Sequence, residues 1–417
     1  MTQTLGRVST LLLAVAILLV GHGLQLSLLP MRAEALGWST GAIGATGSAY
    51  FLGFVIGCVV IPSIVSRVHH IRTFMALATL ATVVLLGLGL FDSVWAWLVL
   101  RAGTGFAFAG LYMVIESWLN EASPVDRRGS ILAVYTMISL LAMVLGQSFL
   151  GLTEPADLRL VMGAAFIMGI AVIPIGLTPI AAPQDIPRAR FSPRVIGRAS
   201  RVAVVCAFCG GLVTGSFWSV GPLVGRAHGL DGTDIGLMMA ATIVGGALIQ
   251  LPVGRLSDHM DRRKVIAGLF VLGVVASLAG WLLVGDSRAA LFAVMFCFGA
   301  TTMPIYALCI ATASDNSDLP LIQIASSILI MNSLGSILGP VLVAQVMAAM
   351  GGGGFFVFAI AGMGLGGLWA LYRIAVIERP RHHDQPFTAV PRTSFVATEL
   401  VDEGPVAAEE GDGAQRA

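Results

Sequence analysis

Residues 254–264 read GRLSDHMDRRK, a polar stretch with four basic and two acidic residues that includes the chain's only lysine, Lys264. Apolar runs of about 20 residues lie on both sides of it, long enough for each to cross a ~30 Å hydrocarbon core as a helix. Short connections rich in Lys and Arg are typical of the cytoplasmic side of a membrane. The stretch therefore predicts two membrane helices joined by a basic turn.

The composition extends this prediction to the whole chain. Of 417 residues, 57% are hydrophobic and 11% charged, against about 25% charged in soluble domains, and the mean hydropathy is +0.89. The five cysteines lack the spacing of a disulfide framework or a zinc site. No nucleophile–base–acid group, phosphate-binding loop, metal-ligand spacing or nucleic-acid motif is present in the sequence. We expect an all-α membrane protein that is not an enzyme and has no cofactor, metal or nucleic-acid partner.

Twelve apolar runs are long enough to span a membrane. Glycines inside them, such as Gly105 and Gly245, indicate close helix contact. The predicted spans, numbered one to twelve, are residues 8–30, 40–65, 73–92, 94–118, 130–152, 159–181, 202–225, 234–254, 265–285, 289–313, 322–348 and 354–377.

An internal repeat divides the chain into two halves. Gly105 and Tyr112 of span four recur as Gly299 and Tyr306 of span ten at an offset of 194, and Pro30 lies 192 residues before Pro222. The predicted domains are a six-helix bundle at residues 1–181, a basic linker at 182–201, a second six-helix bundle at 202–379 and a polar tail at 380–417. The tail lacks apolar periodicity, so we expect it to be disordered and cytoplasmic.

Basic residues set the expected orientation. With the N-terminus in the cytoplasm, seventeen of the 24 Lys and Arg residues lie in cytoplasmic segments and four in outer connections. We therefore expect a multi-pass protein of the inner (plasma) membrane, with both termini in the cytoplasm.

The basic turn resembles the loop between the second and third helices of each half in the major facilitator superfamily. The matching residues are Gly254, Leu256, Asp258, Arg262 and Arg263. The N-terminal counterpart keeps Arg67 but has no acidic residue at Ser66. Arg101 and Gly105 resemble the family's R-x-x-x-G element in span four.

A second resemblance is to the YcaD-like branch of that superfamily. It is carried by ESWLN at Glu116–Asn120, by Arg128-Gly129 and by Gly146-Gln147. Together the resemblances imply the fold of two pseudo-symmetric six-helix bundles and a secondary transporter, with the first and fourth helices of each half facing a central cavity.

Four residues of spans one and four form the candidate site of the N-terminal half: His22, Gln25, Arg101 and Tyr112. A buried arginine costs a few kcal/mol unless it faces water, a partner or the bundle interior, and Arg101 lies at the same predicted depth as His22. The alternatives are that Arg101 bonds only to neighbouring helices and that His22 is a core histidine. Because histidine titrates near neutral pH, His22 is also a candidate proton carrier.

The corresponding helices of the C-terminal half supply Trp218 and Tyr306, together with Thr214, Phe217, Thr301 and Thr302. With a cation on one wall and hydroxyl and aromatic groups on the other, the site favours an anionic or strongly hydrogen-bond-accepting solute. Bundle packing explains the aromatic residues equally well.

The candidates for gating or coupling lie toward the predicted cytoplasmic side. They are Arg67, Glu116, Arg128, Asp258, Arg262 and Arg263. Asp258 is placed to form charge-assisted bonds with Arg262 and Arg263, although these loop cations also serve topology alone. For Glu116 we expect a partner such as Arg127 or Arg128 rather than a proton-coupling role.

Three functional hypotheses follow from these observations. The first is a secondary active transporter that moves a small, possibly anionic solute by alternating access, with proton coupling. The second is a drug or metabolite efflux pump of the same fold. The third is a non-transporting membrane scaffold or sensor whose tail binds a partner. We expect a monomer in the lipid bilayer, with a small-molecule substrate and protons as the coupling ion.

Overall fold

The computed structural model describes residues 2–124, 127–177, 200–285, 287–317, 319–376, 387 and 390–400, with side chains described from residue 9 to residue 398. These residues are almost entirely helical, and no strand occurs among them. Twelve of the described segments are long and apolar enough to cross a membrane. The predicted all-α membrane fold is therefore confirmed.

Each predicted apolar run corresponds to one span, and spans six and ten are each built from two consecutive helices. The helices are Thr2–Ala35, Thr40–Val68, His70–Leu90, Val94–Ala122, Arg128–Ser148, Leu158–Ile170 with Val172–Gly176, Arg201–Ala227, Gly232–His259, Arg262–Leu283, Arg288–Thr302 with Ile305–Ser314, Leu321–Met350 and Gly353–Val376. A 3₁₀ turn, Phe149–Gly151, extends span five. Of the predicted linker at 182–201, only Ser200 and Arg201 lie inside the described residues.

Two helix pairs repeat the same backbone contact at the offsets found in the sequence. A Cβ atom added to Gly105 would lie 1.9 Å from the carbonyl oxygen of Tyr50, and one added to Gly299 would lie 2.0 Å from that of Thr242. Tyr50 and Thr242 are 192 residues apart and the two glycines 194 apart. Spans two and four therefore pack as spans eight and ten do.

A second contact repeats between span five and span one, and between span eleven and span seven. The Gln147 side-chain amide donates to the Gly23 carbonyl oxygen at 2.9 Å, and the Ser336 hydroxyl donates to the Gly211 carbonyl oxygen at 3.0 Å. In span eleven, a Cβ added to Gly339 would lie 2.1 Å from the Leu212 carbonyl oxygen. Gly335 and Gly339, which precede Pro340 in span eleven, thus let that helix approach span seven.

We expect Gly105→Ala and Gly299→Ala to lower the free energy of unfolding by similar amounts, about 1–3 kcal/mol each, because an added methyl group meets a backbone carbonyl in both. Gly103→Ala is the matched control, since its Cβ would come no closer than 3.4 Å to Val84. Thermal unfolding of the purified variants in detergent measures the difference. Equal melting temperatures for Gly105→Ala and Gly103→Ala would contradict the close contact.

The two halves meet on one side of the molecule. We call the side with the turns at His69 and Asp261 the basic face and the other side the opposite face. At the opposite face, the Ser48 hydroxyl of span two donates to the Ile337 carbonyl oxygen of span eleven at 2.5 Å, and Arg226 pairs with Glu34 at 3.6 Å. These contacts join the N-terminal half to the C-terminal half and close the space between them at that face.

Part of the tail lies between the halves at the basic face. Residues 380–417 are predicted to be disordered, but the described residues 390–398, which we call the tail segment, are packed against the spans. Val390 and Ser394–Thr398 are each no more than 4% exposed, and a 3₁₀ turn begins at Val396. The segment is ordered because its short apolar run is buried and its polar side chains find partners.

Candidate functional site

A cavity of about 230 Å³ lies between the two halves, and both halves and the tail segment line it. Of the six predicted substrate-binding residues, five line this cavity: His22, Arg101, Tyr112, Trp218 and Tyr306. The structure therefore brings together residues from spans one, four, seven and ten. This arrangement places polar groups from both halves around one volume.

His22 is held in place by an aromatic stack and an amide. Its ring stacks on Phe108 with centroids 3.7 Å apart, and its Nδ1 lies 2.7 Å from the Gln25 side-chain nitrogen. Tyr112 lies edge-on to the same ring at 6.5 Å. Gln25 is fully buried and does not line the cavity, so it contacts the His22 ring rather than the cavity.

Arg101 faces the cavity with spare hydrogen-bonding capacity. Its guanidinium carbon lies 4.9 Å from the centroid of the Tyr50 ring, a cation–π contact. The residue is 4% exposed, and its Nη1 atom has no hydrogen-bond partner among the described residues. A buried cation with an unused donor is costly, so this geometry favours an acceptor inside the cavity.

The wall from the C-terminal half is aromatic and hydroxyl-rich. Tyr306 is 4% exposed, and its hydroxyl has no partner among the described residues. Trp218 is half-buried and lies edge-on to Phe217. Thr302 also lines the cavity, but its hydroxyl donates to the Phe298 carbonyl oxygen at 2.8 Å within its own helix. Tyr306 is therefore the clearest donor that this wall offers to a solute.

The charges around the cavity are positive. Among the described lining residues, Arg101 and Arg392 are cations, His22 is titratable, and none is a carboxylate. The described residues also contain no group of three or more His, Cys, Asp or Glu side chains that could hold a metal ion. The cavity's electrostatics thus favour a negatively charged occupant.

Glu116 is fully buried beside the cavity and bonds to hydroxyl groups rather than to the expected Arg127 or Arg128. The Tyr135 hydroxyl donates to its Oε1 at 3.1 Å, and the hydroxyls of Thr393 and Ser394 donate to Oε1 and Oε2. Tyr135 and Thr393 themselves line the cavity. Glu116 therefore marks the place where the tail segment meets span four.

Among the candidates for gating, Arg262 pairs with two carboxylates. Its guanidinium lies 2.8 Å from Asp315 and 3.2 Å from Asp258, and it also donates to the Ala311 carbonyl oxygen at 3.2 Å. The side chains of Arg262 and Asp315 are only 3% and 6% exposed. Asp258 and Arg262 thus pair as predicted, but the pair ties spans eight, nine and ten of one half to each other.

We expected Arg263 to bond to Asp258, but it does not. It pairs instead with Asp261 at 2.8 Å, and Asp261 also accepts from the backbone N–H of Arg263 as the N-cap of span nine. Partial burial raises the pKa of Asp261, but the bonds and charge of Arg263 outweigh it and lower that pKa overall. The Arg263 pair therefore stabilises the start of span nine.

The two remaining gating candidates lie at the basic face. Arg67 is exposed near the end of span two, and Arg128 is partly buried at the start of span five. Asp258 has a further contact, because its Oδ1 accepts the backbone N–H of Phe387 at 2.6 Å. The basic turn that matched the family loop thus binds the tail.

Sequence reasoning missed Tyr50, Tyr135, Asp315 and Arg392. Tyr50 and Tyr135 lie in apolar spans and carry no charge that would single them out. Asp315 lies just beyond the predicted end of span ten, and Arg392 belongs to the tail.

Comparisons with known proteins agree on one family. The profile described as Major Facilitator Superfamily matches residues 11–199 and 203–407. An uncharacterised MFS-type transporter of Yersinia enterocolitica is 26% identical over 356 residues, which cover 84% of this chain and 90% of that protein. The uncharacterised MFS-type transporter YcaD of Salmonella arizonae is 26% identical over 348 residues, covering 82% of this chain and 88% of that protein.

Solved structures of transporters share the fold. A variant of the nucleoside transporter NupG superposes with a TM-score of 0.75 at 12% identity, covering 89% of this chain and all of that chain. A bacterial homologue of the human lysosomal transporter Spinster, in an inward-facing and unoccupied conformation, gives a TM-score of 0.68 at 16% identity, with coverage of 95% and 92%.

Proposed function

Because the chain belongs to the Major Facilitator Superfamily, we propose that it is a secondary active transporter that carries a small anionic solute through the cavity between its halves. Its relatives are MFS-type transporters, and the solved structures that share its fold are transporters. Membrane transport is thus the general function, and the anionic solute and its coupling are the specific proposal.

The observation that carries the proposal is the unsatisfied guanidinium of Arg101. Its Nη1 atom has no partner among the described residues, and the described lining of the cavity holds no carboxylate to neutralise the charge. Arginine recognises carboxylates and phosphates through paired charge-assisted hydrogen bonds. A solute with such a group would supply the missing acceptor.

The aromatic walls narrow the solute class further. The rings of Tyr50, Tyr112, Trp218 and Tyr306 line the cavity, and the Tyr306 hydroxyl has no partner among the described residues. Sites of this kind bind an apolar or planar body and orient it through a few polar groups. We propose a solute with an anionic group at Arg101. Its flat or apolar body would lie between Tyr50 and Tyr112 of the N-terminal half and Tyr306 of the C-terminal half.

Coupling and location complete the proposal. We propose that protons drive transport, with His22 and Glu116 as the titratable groups available near the cavity. We also propose that the protein lies in the plasma membrane with the basic face in the cytoplasm, because most of the Lys and Arg residues lie on that side. Alternating access then requires the contacts at the opposite face to open and close.

The test is a thermal-shift comparison of benzoate, benzamide and benzylamine, which share a ring and differ in charge. We expect benzoate alone to raise the melting temperature, because a ligand that binds the native state stabilises it. Arg101→Gln should weaken this binding about 30-fold or more, as expected when a buried charge pair worth at least about 2 kcal/mol is lost. Arg159→Gln is the control, since that side chain is 77% exposed.

The anion that binds best is then tested for flux in proteoliposomes with and without an imposed pH gradient. Stabilisation by benzylamine in both the wild type and Arg101→Gln would overturn the anionic proposal. It would favour the efflux of cationic drugs or metabolites instead. One observation supports that second candidate. The cavity already holds a cation, since the guanidinium carbon of Arg392 lies 5.9 Å from the centroid of the Phe51 ring.

A further inference from the structure

The tail segment binds both halves of the molecule at once. In the N-terminal half, the hydroxyls of Thr393 and Ser394 donate to the buried carboxylate of Glu116 on span four. In the C-terminal half, the guanidinium of Arg392 donates to the Thr214 hydroxyl on span seven. A segment fixed to both halves opposes any motion that separates them at this level.

A second contact anchors the chain just before the tail segment. The backbone N–H of Phe387 donates to Asp258 Oδ1 at 2.6 Å, at the end of span eight. A Cβ atom on Gly254 would lie 2.1 Å from the Phe387 ring. Because Gly254 has no side chain, the Phe387 ring fits against the basic turn.

The tail segment also forms part of the cavity wall. Val390, Pro391, Arg392 and Thr393 are among its lining residues. Farther along, the apolar side chains Phe395, Val396 and Ala397 are each no more than 1% exposed. Burial of this apolar surface favours the docked state, and the bonds to Glu116 set its register.

We propose that the basic-face mouth of the cavity is a docking site for the described part of the chain's own tail, Phe387 and residues 390–398, which closes the cavity and must leave before a solute can enter or exit there. Closure of the cavity by the docked tail does not depend on the proposed function. Its consequence, inhibition of transport, rests on the proposed function.

The contact between Ser394 and Glu116 offers a sharp test in the full-length protein. Ser394→Asp replaces a hydroxyl donor with a second carboxylate facing the first, and two buried like charges repel each other strongly. Ser394→Ala is the matched control, since it removes one donor and adds no charge. Combining Ser394→Asp with Glu116→Gln gives a carboxylate facing an amide donor, so this double variant should dock again.

Docking is measured by trypsin cleavage after Arg392, followed by mass spectrometry of the 393–416 fragment, since trypsin also cuts after Arg416. An Arg381→Gln background prevents an earlier cut in the tail. We expect cleavage to be at least about 100-fold faster in Ser394→Asp than in the wild type, and no more than about 10-fold faster in Ser394→Ala. The double variant should return to within about 10-fold of the wild type.

Closure is measured separately by maleimide labelling of a cysteine placed in the cavity. Ser333 is buried and lines the cavity, so Ser333→Cys supplies this cysteine. A Cys297→Ala background removes the exposed native cysteine. The other four cysteines are buried. Ser394→Asp should speed this labelling about 10-fold or more. Gly254→Val, which displaces Phe387 from the opposite end of the docked chain, should have the same effect on both readouts.

Three results would overturn the proposal. The first is a wild-type tail that is cleaved after Arg392 as fast as the unfolded protein. The second is a released tail without faster labelling of Ser333→Cys, and the third is a failure of Glu116→Gln to restore docking. If the two docking readouts behave as expected but no solute is transported with the tail released, the proposed function fails while the docking site stands.

Discussion

Replacement of Arg262 by leucine should lower the free energy of unfolding by about 3–5 kcal/mol, because it removes a buried cation from the carboxylates that it pairs with. The Arg262 side chain is 3% exposed and lies 2.8 Å from Asp315, which is itself 6% exposed. The same guanidinium also bonds to Asp258 and to a backbone carbonyl. Unfolding in mixed detergent and SDS micelles measures the loss.

Two further variants separate the effect of losing the ion pair from the effect of losing side-chain packing. Arg262→Leu combined with Asp315→Leu removes both charges and should recover most of the stability, since a buried ion pair adds little over apolar side chains. Arg159→Leu, at a cation that is 77% exposed, should change stability by less than about 1 kcal/mol. If the double variant is no more stable than Arg262→Leu, the buried charge is not the cause.

The fold followed from the sequence because each span carries its own signal. Twelve runs of apolar residues were long enough to cross a bilayer, and all twelve are helices in the structure. The offsets that matched Gly105 with Gly299 proved to be offsets between packing contacts, because glycine is retained where two backbones touch. Hydropathy and small residues therefore sufficed for the architecture.

The site was predictable where a residue was unusual for its surroundings. Arg101 stood out as a cation deep in an apolar span, and the helical period placed Tyr112 on its face. Both line the cavity together with His22, Trp218 and Tyr306. Gln25 was predicted to face the substrate together with His22, but its side-chain nitrogen lies 2.7 Å from His22 Nδ1 and the residue does not line the cavity.

The contacts that were missed depend on tertiary structure. Glu116 was expected to pair with Arg127 or Arg128, which are near in sequence, but it bonds to Tyr135, to two tail hydroxyls and to the backbone of Ala397. The tail shows no apolar periodicity, and its order depends on a buried surface provided by other helices. Local pattern cannot reveal such docking, since the energy comes from distant groups.

A leucine at Gly44 or at Gly236 should reduce transport by about 10- to 100-fold, because either side chain prevents closure of the opposite face. A Cβ on Gly44 would lie 2.3 Å from the Pro340 carbonyl oxygen, and one on Gly236 would lie 2.3 Å from that of Gln147. Both contacts join the N-terminal to the C-terminal half. Overpacking of this kind costs about 1–3 kcal/mol, and every ~1.4 kcal/mol lowers the equilibrium constant for closing this face about tenfold.

The same variants should shift the protein toward the state that is open at the opposite face. An impermeant maleimide applied from that side should label Ser333→Cys faster in Gly44→Leu than in the wild type, whereas Gly163→Leu should leave both flux and labelling unchanged. A Cβ on Gly163 meets no atom within 4 Å, so this control adds the same side chain without a clash. Unchanged flux in Gly44→Leu and Gly236→Leu would mean that the halves do not need to meet at this face, and alternating access through this cavity would then be wrong.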